Sequence, residues 1–378
     1  MTAPRRSLSR LAPVVVGATL AIAGCSNAGG PRTTDGVHPR AEPLRTTWRW
    51  VAPPPSYVGM PAADEAGVAV TYGHSHLVLL DGAGRPRWTA DRARLRDVAP
   101  RLTPDAVLVP TEEGLAAFER ATGAFRWEAA LGERANTPVV AGSLAVVSTW
   151  EGSLVGIDVE RGTEAWRLPL PGPSLGPVAG TAGLVVATWS SGNGRAAGMV
   201  AVDPASGRRR WTADLPPGGV SGPGLVVPAG GGPPLAVAVA GDLAAHALAS
   251  DSGAERWRAP LEGAGSPEVA PLDAGRGAVV VAHRLGGMSL LDAADGRRRW
   301  DASGDGAAVR GGPAGPGPAG RFALPLHDGR LLVGGPDVPA QVLDPPGRVS
   351  GVATGPGGTL LVGVREATDN DLTAIIGW

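Results

Sequence analysis

Aromatic, histidine and arginine residues recur at one position of this sequence, about eight residues before an acidic residue that itself precedes a glycine. Such side chains suit recognition, because indole, imidazole and guanidinium groups are enriched in binding surfaces. We predict that they form a candidate binding rim, and its members are Tyr72, His74, His76, Trp150, Trp189, His283, His327 and Arg365. The alternative interpretation is that large side chains cover the end of a loop and bind nothing.

Patterns typical of catalysis or metal binding are not evident in the sequence. The single cysteine, Cys25, rules out a disulfide framework and a cysteine-cluster metal site. The acidic residues do not cluster with metal-ligand spacing, and the glycine-rich runs do not precede a helix as a phosphate-binding loop would. We therefore predict no catalytic residue, no bound metal and no cofactor.

The composition restricts the class of protein. A formal net charge of −1 removes any general argument for nucleic-acid binding. Glycine and proline, with 58 and 37 residues of 378, make up a fraction that by itself would suggest disorder. The 43 % of hydrophobic residues argues against disorder, because it suffices to bury a large core.

The N-terminus has the composition of a targeting segment. Arg5, Arg6 and Arg10 precede a short apolar stretch at residues 11–22, which is too short for a comfortable membrane span. Small residues then lead directly to Cys25, and this arrangement resembles the lipobox of bacterial lipoproteins.

The lipobox resemblance implies a signal peptide over residues 1–24 and an acylated Cys25. Residues 25–44 would then form a flexible tether, since they are polar and rich in Gly, Pro and Thr. We expect residues 45–378 to be held on the extracytoplasmic face of the cell membrane by this lipid anchor. An ordinary signal peptide with a coincidental cysteine is the alternative.

A repeat of about 40 residues organises the rest of the chain. Six tryptophans are spaced by 39 to 46 residues, and each follows a glycine by four positions. An apolar run, an acid and this glycine predict a hairpin whose second strand carries the tryptophan. A further apolar run, such as residues 144–148, precedes each hairpin and does not alternate with polar residues, which indicates a strand covered on both faces. Sheets stacked in this way and closed radially form a β-propeller.

The repeats predict an all-β, eight-bladed β-propeller. Six tryptophan-bearing repeats are followed by a degenerate seventh over residues 321–343 and by three strands of an eighth over residues 349–378. We expect residues 45–52, which carry Trp48 and Trp50, to supply the missing outer strand of the last blade. The N-terminal strand would thereby close the ring and hide its edges.

The repeated unit, apolar residues followed by Asp-x-x-x-Gly-x-x-x-Trp, resembles the repeat of the PQQ-like (pyrroloquinoline-quinone-like) β-propeller family. The resemblance covers residues 45–378 and implies that the tryptophans dock one blade against the next, as large rigid side chains would. The docking residues predicted on this basis are Trp50, Trp88, Trp127, Trp166, Trp211, Trp257 and Trp300.

The family contains enzymes and non-enzymes. Quinoprotein dehydrogenases of the family need a calcium site of Asp, Glu and Asn residues, which we do not find in this sequence. We therefore predict a non-enzymatic lipoprotein that binds an unidentified envelope protein or ligand, similar in architecture to the propeller lipoprotein of the outer-membrane β-barrel assembly machinery. A small-ligand or glycan sensor is the first alternative, and a PQQ-dependent dehydrogenase is the second.

Overall fold

A computed structural model describes residues 45–53, 57–227, 231–261, 271–275, 277–283, 287–303, 313–317, 320–343, 348–365 and 370–376. The predicted signal peptide, Cys25 and the tether lie outside the described residues. Within them the chain forms 31 β-strands, numbered here in chain order, and one short 3-10 helix at Pro356–Gly358. The all-β prediction is therefore confirmed.

The first four sheets are antiparallel and follow one another along the chain. Sheet 1 contains β2 (Ala62–Asp64), β3 (Gly67–Tyr72), β4 (His76–Leu80) and β5 (Pro86–Asp91). Sheet 2 contains β6 (Arg101–Leu102), β7 (Ala106–Thr111), β8 (Gly114–Glu119) and β9 (Phe125–Ala130). Sheet 3 contains β10 (Val139–Ala141), β11 (Leu144–Ser148), β12 (Ser153–Asp158) and β13 (Glu164–Pro169). Sheet 4 contains β14 (Ala179–Thr181), β15 (Leu184–Ser190), β16 (Ala197–Val202) and β17 (Arg209–Leu215).

The remaining sheets become less regular toward the C-terminus. Sheet 5 contains β18 (Gly224–Val226), β19 (Leu235–Val239), β20 (Ala244–Ala249) and β21 (Glu255–Pro260). Sheet 6 contains β22 (Leu272–Gly275), β23 (Ala278–His283), β24 (Gly287–Asp292) and β25 (Arg298–Ser303). Sheet 7 has three strands, β26 (Phe322–Pro325), β27 (Leu331–Gly335) and β28 (Val338–Leu343). Sheet 8 contains β29 (Arg348–Thr354), β30 (Leu360–Arg365), β31 (Asn370–Ile376) and, from the other end of the chain, β1 (Arg45–Val51).

The central strands of the sheets are buried on both faces, and this explains their unbroken apolar runs. Every residue of β3, β7 and β16 is buried, whereas exposed and half-buried residues dominate the fourth strands β5 and β13. The cover comes from neighbouring sheets. Clusters of buried apolar side chains join each sheet to the next in chain order, and a further cluster joins sheet 8 to sheet 1.

The two ends of the described chain meet in sheet 8. β1 pairs antiparallel with β31, with Arg49 opposite Thr373 and Trp50 opposite Leu372. The side chains of β1 then cover sheet 1, since Trp48 and Trp50 share a cluster with Val68, Val70 and Leu80.

Tryptophans of the fourth strands reach across to the next sheet. The indole N–H of Trp127 donates a hydrogen bond of 2.9 Å to the carbonyl of Val159, and the ring covers Gly162 so closely that a Cβ there would lie 2.5 Å away. Gly162 has a φ of +69°, a region that favours glycine. The same pair of contacts joins Trp88 to Arg120 and Gly123, Trp166 to Pro204 and Gly207, Trp211 to Ser250 and Gly253, and Trp257 to Ala293 and Gly296.

Two of the predicted docking tryptophans differ from this pattern. Trp48, and not Trp50, occupies the docking position of β1: its indole donates to the carbonyl of Gly82 at 3.0 Å and covers Gly84. Trp50 lies two residues further along the strand and packs edge-on against Tyr72, with ring centroids 5.4 Å apart. Trp300 is half-buried and lies against Gly334 within β27, because sheet 7 offers no equivalent turn glycine to it.

Candidate functional site

A cavity of about 1260 Å³ lies where the first strands of the sheets begin. We call it the inner cavity. It is lined by one residue or more from each of the segments that lead into sheets 1–7, and these segments contribute Met60, Ala99, Thr137, Pro177, Pro223, Pro271 and Pro313. Segments of seven consecutive repeats thus line one space.

The wall of the inner cavity is mainly apolar, with Leu102, Val178, Leu225 and Leu272 among its residues. A few polar groups interrupt it, namely those of Arg96, Arg101, Asn136, Thr137, Trp150 and His327. No aspartate or glutamate is among the described residues that line it. An apolar cavity with a few polar groups is the usual form of a binding site.

Trp150 is held in the wall by a dense set of contacts. Its indole N–H donates a hydrogen bond of 2.9 Å to the side-chain oxygen of Asn136. The guanidinium carbons of Arg96 and Arg134 lie 4.9 Å and 4.5 Å from the centre of its ring, within cation–π distance. A large aromatic side chain in this setting is pre-organised, because its position is set before any ligand arrives.

Asn136 is the residue that positions Trp150. It is buried, and its amide nitrogen donates toward the hydroxyl of Ser148 at 3.0 Å and the carbonyls of Ser174 and Gly176 at 2.9 and 3.1 Å. One side chain therefore ties the segment before sheet 3 to the segment before sheet 4. Burial makes these hydrogen bonds costly to lose.

Arg96 and Arg101 bring positive charge to the cavity wall. Arg96 is 8 % exposed, and its guanidinium donates to the carbonyl of Ala135. Burial lowers the pKa of Arg96, although the carboxylate of Glu112, 3.6 Å from Nε, acts in the opposite direction. Arg101 keeps contact with solvent inside the cavity, yet surrounding protein desolvates its guanidinium and lowers its pKa. Both arginines remain cations at neutral pH, because an unperturbed guanidinium titrates far above it.

Of the predicted rim residues whose side chains the structure describes, Trp150 and His327 line the inner cavity. Trp189 is a correction to the prediction. It is buried, and its ring lies over Gly198 of the adjacent strand, so that it packs within sheet 4. The side chains of His283 and Arg365 lie outside the described residues; their backbones end β23 and β30.

The three rim residues of sheet 1 are not among the described residues that line the cavity. Tyr72 is buried and stacks on His76, with ring centroids 4.7 Å apart. Nδ1 of His76 lies 2.7 Å from a carboxylate oxygen of Asp91, and Nδ1 of His74 lies 3.4 Å from one of Asp97. Local partners therefore hold these side chains at the end of their own hairpin.

Sequence reasoning missed Arg96, Arg101 and Asn136, although one signal points to the cavity. A proline stands one or two residues before the first strand of each of sheets 1–6, at Pro61, Pro100, Pro138, Pro177, Pro223 and Pro271. Proline is tolerated there because the first strand is an edge strand and does not need every N–H. Arg101 stands directly after the proline of sheet 2. In the other five of these sheets the residue after the proline is Ala, Val or Gly in four cases and Leu in one.

The comparison with sequence families decides the relationship of the chain. A family described as outer membrane protein assembly factor BamB matches residues 73–198 and 195–337, which together exceed half of the sequence. The chain belongs to the BamB family. A search among curated proteins gave no match.

Solved structures with the same fold include a BamB structure and proteins with other names. BamB from Moraxella catarrhalis is 15 % identical, with 88 % of this chain and 99 % of that chain covered and a TM-score of 0.68. The C-terminal WD40 domain of Sif2 is 12 % identical, with 88 % and 99 % covered and a TM-score of 0.67. Quinohemoprotein alcohol dehydrogenase from Comamonas testosteroni is 13 % identical, with 88 % and 76 % covered and a TM-score of 0.63. Identities this low establish a shared propeller-like fold and nothing about activity.

The likeness to a quinoprotein dehydrogenase raises the question of a calcium-bound quinone. Ca²⁺ takes oxygen ligands, usually from several carboxylates. The described lining of the inner cavity supplies none, and no group of three His, Cys, Asp or Glu residues in the described chain could hold a metal. These residues therefore do not fit a calcium-bound quinone.

No helix within the described residues is long and apolar enough to cross a membrane.

Proposed function

We propose that this protein is a membrane-anchored, extracytoplasmic lipoprotein whose propeller binds another protein and catalyses no reaction. The observation that carries the proposal is the inner cavity, where groups suited to recognition, led by Trp150, are held in place by hydrogen bonds. Membership of a family described by an assembly factor supports a role in protein interaction. Fold alone would not, because one fold serves many functions.

We infer an eight-bladed propeller closed by its N-terminal strand. The eight sheets, the pairing of β1 with β31 and the apolar cluster between sheets 8 and 1 all support this closure. β2 also lies beside β29, which places the first strands of sheets 1 and 8 next to each other. A closed ring would protect strand edges that an open stack leaves unpaired.

The proposed domain organisation is a signal peptide over residues 1–24, an acylated Cys25 with a tether to residue 44, and the propeller over residues 45–378. Cells fed with an alkyne analogue of palmitate test the anchor directly. We expect the wild-type protein to be labelled and to sediment with membranes. Cys25→Ser should abolish both, and a Cys25→Ser protein that still carried the label would contradict the anchor.

Site-specific photo-crosslinking in intact cells tests the binding face. Leu175 lines the inner cavity and is 43 % exposed, whereas Phe125 is 47 % exposed on the fourth strand of sheet 2. A photoreactive amino acid at position 175 should yield a discrete protein adduct, and the same residue at position 125 should not. Equal adducts from both positions would mean that the cavity face is not the binding surface.

A sensor of glycans or other small ligands is the second candidate, favoured by the presence of Trp150 in the wall. Sugars stack on exposed aromatic rings, but the Trp150 ring already has two guanidinium groups within cation–π distance. Titration of the purified protein with oligosaccharides, followed by tryptophan fluorescence, separates the candidates. Quenching that is lost in Trp150→Phe would favour the sensor.

A further inference from the structure

The positive charge of the inner cavity is concentrated at one place, the boundary between sheets 2 and 3. Nε of Arg101 donates a hydrogen bond of 3.0 Å to the carbonyl of Pro138, and the Arg96 guanidinium donates to the carbonyl of Ala135. These carbonyls are three residues apart, a span of about 10 Å at most. Two guanidinium groups therefore line the same part of the wall and are fastened to one backbone segment.

The charges around this segment do not cancel within the cavity. The Glu112 carboxylate lies near Arg96, but Glu112 is not part of the lining. Arg134, beside Trp150, forms an ion pair of 3.1 Å with Glu151, and neither of these two residues lines the cavity. For Arg101 the described residues provide no ion pair with a carboxylate. His327 also reaches the lining and carries no negative charge. The ionisable groups that face the space are thus all basic.

An unneutralised cation in an apolar wall attracts an anion strongly, because low polarity strengthens the interaction between charges. Among the residues that the structure describes, Arg101 forms one hydrogen bond, through Nε, and a guanidinium has five N–H donors. Its planar fork matches a carboxylate in a two-pronged contact. The apolar side chains around it, such as Leu102 and Val178, suit the carbon skeleton of the same ligand.

We propose that the inner cavity binds a carboxylate through Arg101, with Arg96 as the second cation and Asn136 as the residue that positions the wall. This proposal rests on the proposed function, since it names the chemistry of the partner at the same face. A volume of about 1260 Å³ exceeds that of typical small-molecule sites, which reach about 1000 Å³. The cavity therefore accepts an acidic segment of a partner protein, and a free organic acid is the other source of the same group.

Fluorescence anisotropy with the full chain tests the proposal. The probes are a short peptide of alternating leucine and glutamate, labelled with an uncharged dye, and its twin with glutamine in place of glutamate. We expect the glutamate peptide to bind at least about tenfold more tightly than its twin and to lose this advantage in concentrated salt. Equal affinity for the two peptides would overturn the proposal, and this comparison requires no variant.

Variants then locate the site. Arg101→Gln should weaken binding of the glutamate peptide about tenfold, and Arg101→Lys should retain part of the affinity. Arg87→Gln is the control, because Arg87 is exposed on the fourth strand of sheet 1, far along the sheet from the cavity lining. Melting temperatures of all three variants should match the wild type. Equal loss in Arg87→Gln and Arg101→Gln would overturn the assignment to the cavity.

Succinate distinguishes the two sources of the carboxylate. Displacement of the peptide by succinate would support a free organic acid, and binding that succinate does not disturb would support an acidic segment; both support recognition of a carboxylate. The crosslinking experiment at position 175 separates this proposal from the proposed function. If a partner is captured equally by the wild type and by Arg101→Gln, the result supports the proposed protein binding and contradicts the proposed role of Arg101.

Discussion

Sheets 1–5 and sheets 6–7 are built from the same kind of strand but are joined to the next sheet differently. In sheets 1–5 the fourth strand carries a tryptophan that covers a glycine in the next sheet and donates to a carbonyl of the same turn. Sheet 6 ends in Trp300, which lies against Gly334 inside a strand, and the three-stranded sheet 7 carries no tryptophan. The comparison shows that the tryptophan contact reinforces the stacking of sheets, while buried apolar side chains suffice to maintain it.

Sheet 8 sharpens this comparison. Its fourth strand, β1, comes from the other end of the chain, yet Trp48 covers Gly84 and donates to Gly82 as the regular tryptophans do with their own glycines and carbonyls. β1 pairs with β31, which lies more than 300 residues away in the sequence, so a hairpin connection between the third and fourth strands is not needed to place the indole. The docking contact depends on where the strand lies in space.

The largest expected effect is the difference in stability lost when Trp127, which covers a turn glycine, and Trp300, which does not, are each replaced. Trp127→Ala should lower the free energy of unfolding by about 3–5 kcal/mol, because a buried indole and its hydrogen bond are lost. Trp300→Ala should lower it by roughly half as much, since Trp300 is half-buried. Urea denaturation of both variants measures the difference. Equal losses would mean that sheets 6 and 7 are joined by the same contact after all.

A pair of glycines isolates the contribution of the tryptophan cover. Gly162 and Gly142 have φ angles of +69° and +64°, but only Gly162 has an indole against it, while a Cβ at Gly142 would meet no atom within 4 Å. Gly142→Ala should destabilise the protein by about 1 kcal/mol, the cost of the backbone conformation alone. Gly162→Ala should cost about 3 kcal/mol, because the ring of Trp127 must also move. Similar melting temperatures for the two variants would contradict this account.

Substitutions by phenylalanine compare the two tryptophans of β1. Trp48→Phe removes the indole N–H that donates to Gly82, whereas Trp50→Phe mainly alters packing against Tyr72. We expect Trp48→Phe to be the more destabilising by about 1 kcal/mol, the usual contribution of one such hydrogen bond. Thermal unfolding of both proteins measures it. If Trp50→Phe were the more destabilising substitution, Trp50 would be the docking residue.

The smallest expected effect concerns the acid of the hairpin turn. A hydrogen bond from the Arg161 amide is the main cause that lowers the pKa of Asp158 from 3.8, and the amide of Glu160 and the Arg161 side chain add to it. Because the folded-state pKa lies below the unfolded one, this contribution to stability is complete above about pH 4. It is lost as the pH falls through the folded-state pKa.

Asp158→Ala should therefore destabilise the protein slightly at neutral pH, and the difference from the wild type should shrink below pH 3.8. Sheet 5 provides a natural control, since Ala249 already stands at the corresponding turn position. Urea denaturation at several pH values measures the difference. If the difference in the free energy of unfolding between the wild type and Asp158→Ala increased as the pH fell, the charged carboxylate of Asp158 would be destabilising.

The hairpins could be predicted from the sequence because their signals are local. An apolar run, a turn glycine and a following tryptophan lie within about twelve residues, and strands such as Leu144–Ser148 begin and end where the pattern places them. The sequence could not predict that Trp48, and not Trp50, is the docking tryptophan of β1. Two indoles two residues apart point to the same side of a strand, and the register irregularity between Thr46 and Trp48 influences which one reaches the glycine.

The candidate site was harder to predict, because its contacts join residues that are far apart in the sequence. Trp150 and His327 belong to hairpin turns that a repeat places on one face, so the sequence pattern found them. Trp189 stands at a similar position, but its ring folds over Gly198 of its own sheet. Arg96 lies in the connection before sheet 2 and Arg101 begins β6, where the repeat has no fixed residue type. Both donate to carbonyls of Ala135 and Pro138, in the segment that leads into sheet 3.

The sequence by itself determined the all-β class, the hairpins and the repeat, because each depends on apolar spacing and turn chemistry within a short stretch of chain. Only the tertiary structure decided which of two indoles covers Gly84, and which cations share a cavity wall with Trp150. These contacts join residues that are tens of positions apart. Their geometry depends on how eight sheets pack against one another, and no local pattern carries that information.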